Sequence, residues 1–322
     1  MTKNDLITVT ISAYNHERYV QETLKSVIEQ TYQNIELIIV NDGSTDGTHQ
    51  QIEAMIPRCR ERFARVEYLN RENQGFVRSL NYCLSLAQGK YIYVIASDDI
   101  AEKSALEVLH RFLSSHLDYG LVVGDNAIID NAGTICYWGP KQVTVYDKQE
   151  ARSLTHAEHL QKNRPDIDFH TPAFGTYTSL LTGNYIPNGY LIRKSIIDIF
   201  GGYSEEAPFD DWYLMLQLSK YSKLKFINKN LFRYRWHATN AIKQRDKMER
   251  DFKTTLRMET LYAREHGFEA FIPKTVTLKI SGIKLFYYTK TPQKTALRIF
   301  GITLYKRKPS TLHTAHYPSK TS

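Results

Sequence analysis

The 322-residue chain is 42% hydrophobic and 12% aromatic, enough for one large α/β domain with a buried core plus an appendage. Its net charge is +8, and its three cysteines (Cys59, Cys83, Cys136) have no CxxC or histidine-partnered spacing, so they read as reduced, buried thiols of a cytosolic protein. No basic region leads into a long apolar run at the start and no stretch nears ~18 apolar residues, so neither a signal peptide nor a membrane span is expected.

LITVTIS (Leu6–Ser12) is a β-branched run fit for a buried strand. ERYVQETLKSVIEQ then places Val20, Leu24, Val27 and Ile28 at helical spacing. IELIIV (Ile35–Val40) is the next strand and runs into NDGSTDGT. A helix through THQQIEAMI, a strand around RVEYL and a helix over Phe76–Ala87 follow. YIYVIA (Tyr91–Ala96) is the fourth strand and ends at SDD. Repeated β-α-β units of this length predict a mostly parallel sheet with helices on both faces. In such sheets ligands sit at the carboxyl ends of the strands, where SAYN, NDGS and SDD all fall.

Leu121–Asn184 is less regular: LVVGDNAIIDNAGTICYW alternates like strands around an NAG turn, and a polar loop or short helix follows. His156 and His159 stand three apart there without a further ligand, as on a surface helix. DDWYLMLQLSKY (Asp210–Tyr221) patterns as a helix, KLKFINKNLFRYRWH as a strand, and a charged helical stretch runs from Asn240 to about His266. The chain divides into a main domain over 1–240 and a basic, helical and hairpin-like appendage over 241–322. The appendage holds 17 Lys and Arg against 6 Asp and Glu, whereas residues 1–240 hold 25 against 28. Such a tail suits an anionic surface, membrane headgroups before nucleic acid, or serves only for solubility. It contains a repeat with a period of 19 residues, LKISGIKLFYY from Leu278 and LRIFGITLYKR from Leu297. The two copies read as a strand pair, used for docking or for packing on the main domain.

Taken singly, the chemistry-bearing motifs are ambiguous. Asp42 in NDGSTDGT sits in a glycine turn where Ser44 or Thr45 can cap the next helix. GxGxxG is absent after every early strand, as is any GK[ST] loop. Asp98 and Asp99 are either an N-cap for DDIAEKSALEVL or a divalent-cation site. FRYRWH ends in His237, and its Arg233 and Arg235 could pair with surface acids. Asp210 and Asp211 are either an acidic helix start or include a catalytic base.

Together these segments resemble the inverting family 2 glycosyltransferases of GT-A fold, in the family's order over residues 6–240. The motifs are VTISAYNHERYVQETLKSVIEQTYQNIELIIVNDGSTDGT, ENQGFVRSLNYCLSLAQGKYIYVIASDD, GGYSEEAPFDDWYLMLQLSKY and LFRYRWHATN. The resemblance implies a Rossmann-like sheet and transfer from a nucleotide sugar, UDP-linked or dTDP-linked, in bacterial surface-polysaccharide synthesis. It implies that Ala13, Tyr14 and Asn15 line the base and ribose, that Asp42 accepts the pyrimidine N3–H, and that Arg71 approaches the base. Asp98, Asp99 and His237 fall on the site for Mg²⁺ or Mn²⁺ against the donor diphosphate, with Asp98 favoured as ligand. Asp211 aligns with the base that deprotonates the acceptor hydroxyl, and Trp212 packs behind it. Three departures stand out: Ala96 where the family commonly has a ribose-contacting Asp, Ser12 where proline is common, and Asp210 in place of Glu. Ala96 motivates a second reading, a non-catalytic nucleotide- or glycan-binding protein on a degraded transferase scaffold. The implied acceptor is a glycan or lipid-linked glycan, reached from the cytoplasm and through peripheral contact of the tail with an anionic membrane. No nucleic-acid motif occurs in the tail, so no nucleic-acid partner is expected.

Overall fold

The computed structural model describes residues 5–207, 210–238, 240, 245–280, 283–290, 295–299 and 302–307. The first half follows the expected alternation: β1 (Ile7–Ala13), α1 (Val20–Ile28), β2 (Ile35–Asp42), α2 (Thr48–Arg62), β3 (Arg65–Arg71), α3 (Phe76–Leu86) and β4 (Tyr91–Val94). A two-residue β5 (Ile100–Ala101) then precedes α4 (Ala105–Ser115). Next come β6 (Tyr119–Ile129), β7 (Ile135–Trp138), β8 (Thr144–Val145), α5 (His156–Asn163), α6 (Tyr177–Leu180), β9 (Tyr190–Arg193) and α7 (Lys194–Phe200). α8 (Asp210–Tyr221), β10 (Lys223–Arg235) and α9 (Arg245–Glu265) complete the main body.

The sheet order is β3-β2-β1-β4-β9-β6-β10-β5, with β7 and β8 branching from β6. β3, β2, β1 and β4 pair in parallel. β9 is antiparallel to both β4 and β6, and β10 runs parallel to β6. The result is a mixed, mostly parallel sheet covered on both faces. In β1, Ile7, Val9, Ile11 and Ala13 face one core together with α1, α2 and α4. Ile38 and Val40 of β2 and Ile92 of β4 face the other core, packed by α3 and α8. The helical spacing of α1 buries Val20, Leu24 and Val27, and each such large side chain stabilises the fold by about 1.5–3 kcal/mol. All three cysteines are buried and unbridged, as expected, and burial pushes the Cys83 thiol up to about 12.

α9 lies beyond residue 240 yet shares the second core. Phe252 stacks on Trp212 at 4.5 Å and 3° interplanar, Ala263 is fully buried, and Lys220 of α8 reaches Glu259 at 2.8 Å. Tyr177 and Gln217 also donate to the Glu259 carboxylate, at 2.9 and 2.7 Å. A buried ion pair survives only when so surrounded by donors, so this contact is a fitted junction.

The 19-residue repeat contributes four strands, not the expected pair: β11 (Lys274–Ile280), β12 (Ile283–Lys290), β13 (Thr295–Ile299) and β14 (Ile302–Arg307), in sequential antiparallel order. Leu278 pairs with Phe286, and the equivalent Leu297 pairs with Tyr305. Each hairpin shifts register at the same place, Leu278/Lys279 and Leu297/Arg298. The repeat unit is therefore a bulged hairpin. The basic tail beyond Arg307 lies outside the described residues.

Candidate active site

The carboxyl ends of β1, β2, β4 and β10 each deliver residues to one region, as parallel sheets do. Ala13 ends β1 fully buried, Tyr14 is 49% exposed, and Asn15 takes a positive φ of 53°. Asn15 fastens this loop to the next: its N–H donates to Ser44 Oγ at 3.0 Å, and its Oδ1 accepts from the Thr45 N–H at 2.8 Å. Those bonds replace the helix cap expected of Ser44 or Thr45, because α2 starts only at Thr48, after Gly47. Gly43, just before Ser44, has φ +72°, and a Cβ there would lie 2.4 Å from the Asn73 backbone nitrogen, so the turn requires glycine.

Asp42 is only 2% exposed, and its carboxylate accepts from Arg71 Nε at 3.1 Å and from the Gln74 and Gly75 N–H groups at 3.0 and 2.8 Å. Arg71 donates onward to Ser79 Oγ at 2.8 Å. The pair thereby pins the 71–75 segment against the end of β2.

Asp98 and Asp99 are not a helix cap, since β5 intervenes and α4 begins at Ala105. They also part company. Asp98 Oδ2 lies 2.8 Å from His237 Nε2 and 3.8 Å from His16 Nε2. Burial pushes the Asp98 carboxyl up, but the His237 hydrogen bond and the two rings outweigh it and leave its pKa lowered. Asp99 turns inward, where its Oδ1 accepts the Arg235 N–H at 2.8 Å. Burial, then the adjacent Asp98 charge, raises Asp99 well above the usual carboxyl range. Burial likewise lowers the pKa of His16, against the pull of Asp98.

Arg235 is not a surface pair. It is 1% exposed, its Nε donates to the Asp98 carbonyl at 2.7 Å, and its guanidinium meets Glu22 and the Asp130 carbonyl. Its guanidinium sits 4.8 Å over the Tyr19 ring, which stacks on His237 at 5.5 Å. Arg233 does pair with an acid near the surface, Glu102, at 2.6 Å.

α8 begins at Asp210, whose side chain is outside the description. Asp211 is half-buried and lines a pocket with Ser12, Ala96, Asp99, Asn188 and Tyr190. The Tyr190 hydroxyl donates a long bond to Asp211 Oδ1 at 3.4 Å. Trp212 is fully buried and donates Nε1–H to the Leu180 carbonyl at 2.7 Å, which fixes the first turn of α8 and hence the direction of Asp211.

Sequence reasoning missed His16, Tyr190 and the buried role of Arg235. The signal for His16 was its place next to Asn15, in a loop already assigned to the ligand. Donor atoms of His16, Asp98 and His237 lie within 4.8 Å of one another, the one such group of three among the described residues. Two imidazoles and a carboxylate are a donor set that fits a divalent cation. His156 and His159 belong elsewhere: His156 is buried on α5, stacks on Tyr234 at 4.9 Å, and packs with His159 around Trp138.

The family model for glycosyl transferase family 2 matches residues 8–176. The glycosyltransferase GlyG of Streptococcus pneumoniae serotype 4 is 30% identical over 238 residues, covering 72% of this chain and 71% of GlyG. An uncharacterized Haemophilus influenzae glycosyltransferase is 40% identical over 111 residues, 34% of this chain, and this chain spans only 33% of that protein. Among solved structures, Staphylococcus aureus TarS 1–349 in complex with UDP-GlcNAc gives a TM-score of 0.55 at 17% identity, covering 83% of this chain and 71% of TarS 1–349. The mannosyltransferase PcManGT of Pyrobaculum calidifontis, in complex with GDP-Man and Mn²⁺, gives 0.58 at 14% identity, covering 81% and 65%. These likenesses show a GT-A fold. With the family model matching half of its length and GlyG matching nearly three quarters, the chain belongs to glycosyltransferase family 2.

Proposed function

We propose that the protein is an inverting, divalent-cation-dependent transferase that moves a hexosyl or N-acetylhexosaminyl group from a UDP-sugar to a hydroxyl of a glycan or lipid-linked acceptor. The observation that carries the reading is one pocket shared by Asp211 and Asp99, whose chain neighbour Asp98 faces His237. TarS has been solved in complex with UDP-GlcNAc and PcManGT in complex with GDP-Man and Mn²⁺, which supports a nucleotide-sugar donor and a divalent ion. TuaG of Bacillus subtilis, named for teichuronic acid biosynthesis, is 35% identical over 134 residues and supports a surface-polymer product.

Asp42 Oδ2 accepts a bond from the Gly75 N–H, and a carboxylate oxygen has room for a second donor such as the N3–H of uracil. Arg71 holds that carboxylate in place, while Ala13, Tyr14 and Asn15 flank the base and ribose. Asp98 and His237 would hold Mg²⁺ or Mn²⁺, which supplies positive charge to stabilise the departing diphosphate. Asp99, engaged with Arg235, supports Asp98 from behind. Asp211 takes the proton of the acceptor hydroxyl as that oxygen bonds to the anomeric carbon. The bond from this carbon to the phosphate oxygen breaks, and its electrons leave with UDP. Attack opposite the leaving group inverts the configuration. The enzyme works at the inner face of the cytoplasmic membrane through its basic appendage; among the described residues no helix is long and apolar enough to cross a membrane.

A thermal-shift screen of nucleotide sugars with Mn²⁺, followed by transfer assays, tests this. Stabilisation by UDP-sugars above GDP- and CMP-sugars, with turnover, is the expected result. Metal-dependent UDP binding with no turnover on any acceptor would favour the binding protein that Ala96 suggests.

A further inference from the structure

We propose that His16 is a third protein ligand of the cation, making a two-histidine, one-carboxylate set that binds transition metals without nucleotide and discriminates against Mg²⁺. The proposal rests on the metal-assisted reading above and concerns which residues and ions make that site.

Three contacts fix His16. Its backbone N–H donates to Thr48 Oγ1 at 2.8 Å, its Nδ1 meets Ser97 Oγ at 2.7 Å, and its ring packs edge-on to Tyr19 with centroids 5.9 Å apart. With Nδ1 engaged by the buried Ser97 hydroxyl, Nε2 is the nitrogen turned to Asp98. An outer hydrogen bond of this kind sets the tautomer and orientation of a ligating imidazole. The 3.8 Å between His16 Nε2 and Asp98 Oδ2 is too long for a hydrogen bond. It does match two ligands of one ion, because bonds of about 2.0–2.2 Å place ligand atoms about 3–4 Å apart. His237 Nε2 approaches the same carboxylate oxygen at 2.8 Å, and its ring stands at 85° to that of His16. A histidine held at three points, with its remaining nitrogen aimed at a carboxylate already held by a second histidine, is an arranged donor set.

The composition of that set decides the ion. Ala96 offers no side-chain donor, Asp99 faces the Arg235 amide, and two of the three donors are nitrogen. Mg²⁺ takes oxygen ligands and gives up water reluctantly. Imidazole suits later first-row ions, whose affinity for such a site rises from Mn²⁺ through Co²⁺. The expected order is Zn²⁺ and Co²⁺ above Mn²⁺, with Mg²⁺ last.

The test is a Co²⁺ titration of the nucleotide-free, full-length protein, read by visible absorption, with Zn²⁺, Mn²⁺ and Mg²⁺ as competitors. One Co²⁺ per chain is expected, displaced readily by Zn²⁺, by Mn²⁺ only in excess, and unaffected by a hundredfold excess of Mg²⁺. His16→Ala should weaken Co²⁺ binding by about 100-fold and Ser97→Ala by about tenfold. His16→Gln makes the same comparison if His16→Ala does not fold, as judged by circular dichroism. Co²⁺ affinity of the His16 variants within threefold of the parent, or Mg²⁺ competing on a par with Mn²⁺, overturns the proposal. UDP binding, measured separately by calorimetry, reports on the donor: its absence in the parent protein refutes the UDP-sugar reading while the Co²⁺ result stands.

Discussion

Asp211→Asn is the sharpest perturbation of the proposed chemistry, because the structure separates its catalytic from its structural consequences. The amide has the shape of the carboxylate and can still accept from the Tyr190 hydroxyl, now 3.4 Å away. Trp212 anchors that turn separately, to the Leu180 carbonyl at 2.7 Å and to Phe252. At a half-buried position the stability change should therefore stay within about 0.5–1 kcal/mol. The base-facing residues are also held independently, Asp42 by Arg71, Gln74 and Gly75 and Asn15 by Ser44 and Thr45. UDP affinity should then change less than about twofold. What the amide cannot do is accept a proton. Loss of a positioned general base costs roughly 10²–10⁴ in rate, or about 2.7–5.4 kcal/mol of barrier. Initial rates of transfer at saturating donor, UDP calorimetry and a melting curve together decide the matter. A kcat within tenfold of the parent refutes the base assignment, and joint loss of UDP binding and melting temperature shows that Asp211 is structural.

Asp98→Ala should abolish the metal dependence of UDP binding in calorimetry; unchanged Mn²⁺ dependence would remove Asp98 from the site. Ending the chain after Pro273 should leave the melting temperature within a few degrees and reduce sedimentation with anionic liposomes, whereas ending it after Asn240 removes α9 and should yield an unstable protein. Equal stability of the two truncations would show that the Trp212–Phe252 junction contributes little, and undiminished liposome binding would sever the tail from the membrane. Burial holds His156 at a pKa of about 3, so the folded state keeps it neutral while the unfolded chain, near 6.5, takes up a proton. Its contribution is fully present above pH ~6.5 and is lost as pH falls toward 3, by about 2 kcal/mol at pH 5. His156→Phe should narrow the gap in unfolding free energy between pH 7.5 and pH 5 by about that amount, and an unchanged gap would mean that the ring protonates in place.

The sequence made the first half of this fold legible because its elements are long and periodic. α1 and α2 carry 3.6-residue apolar spacing, and β1, β2 and β4 are apolar runs that end in polar segments, the one after β2 rich in glycine. Strand direction is another matter. YLIR in β9 has nothing in its composition to say that it runs antiparallel between β4 and β6. The tail was expected to be hairpin-like, but the same limit hid that each copy of its repeat is a hairpin by itself, because a run broken by one glycine reads as a strand until backbone pairing shows two. The site divides along the same physical line. Asp42, Asp98, Asp211 and His237 sit at the ends of elements, where position along the chain predicts position in space. The work of Arg235 and His16 depends on partners far away in sequence, Glu22 for one and Ser97 and Asp98 for the other. Arg235 looked like a surface charge because arginines usually are. It lies buried because Asp98 and Asp99 leave a backbone carbonyl and a carboxylate oxygen to be satisfied behind them, and its side chain and amide supply both donors. Two adjacent buried carboxylates thus call for a cation on one side and an ordered donor on the other. Asp98 meets the imidazoles, Asp99 meets the Arg235 amide, and this split of roles was not visible in the dipeptide itself.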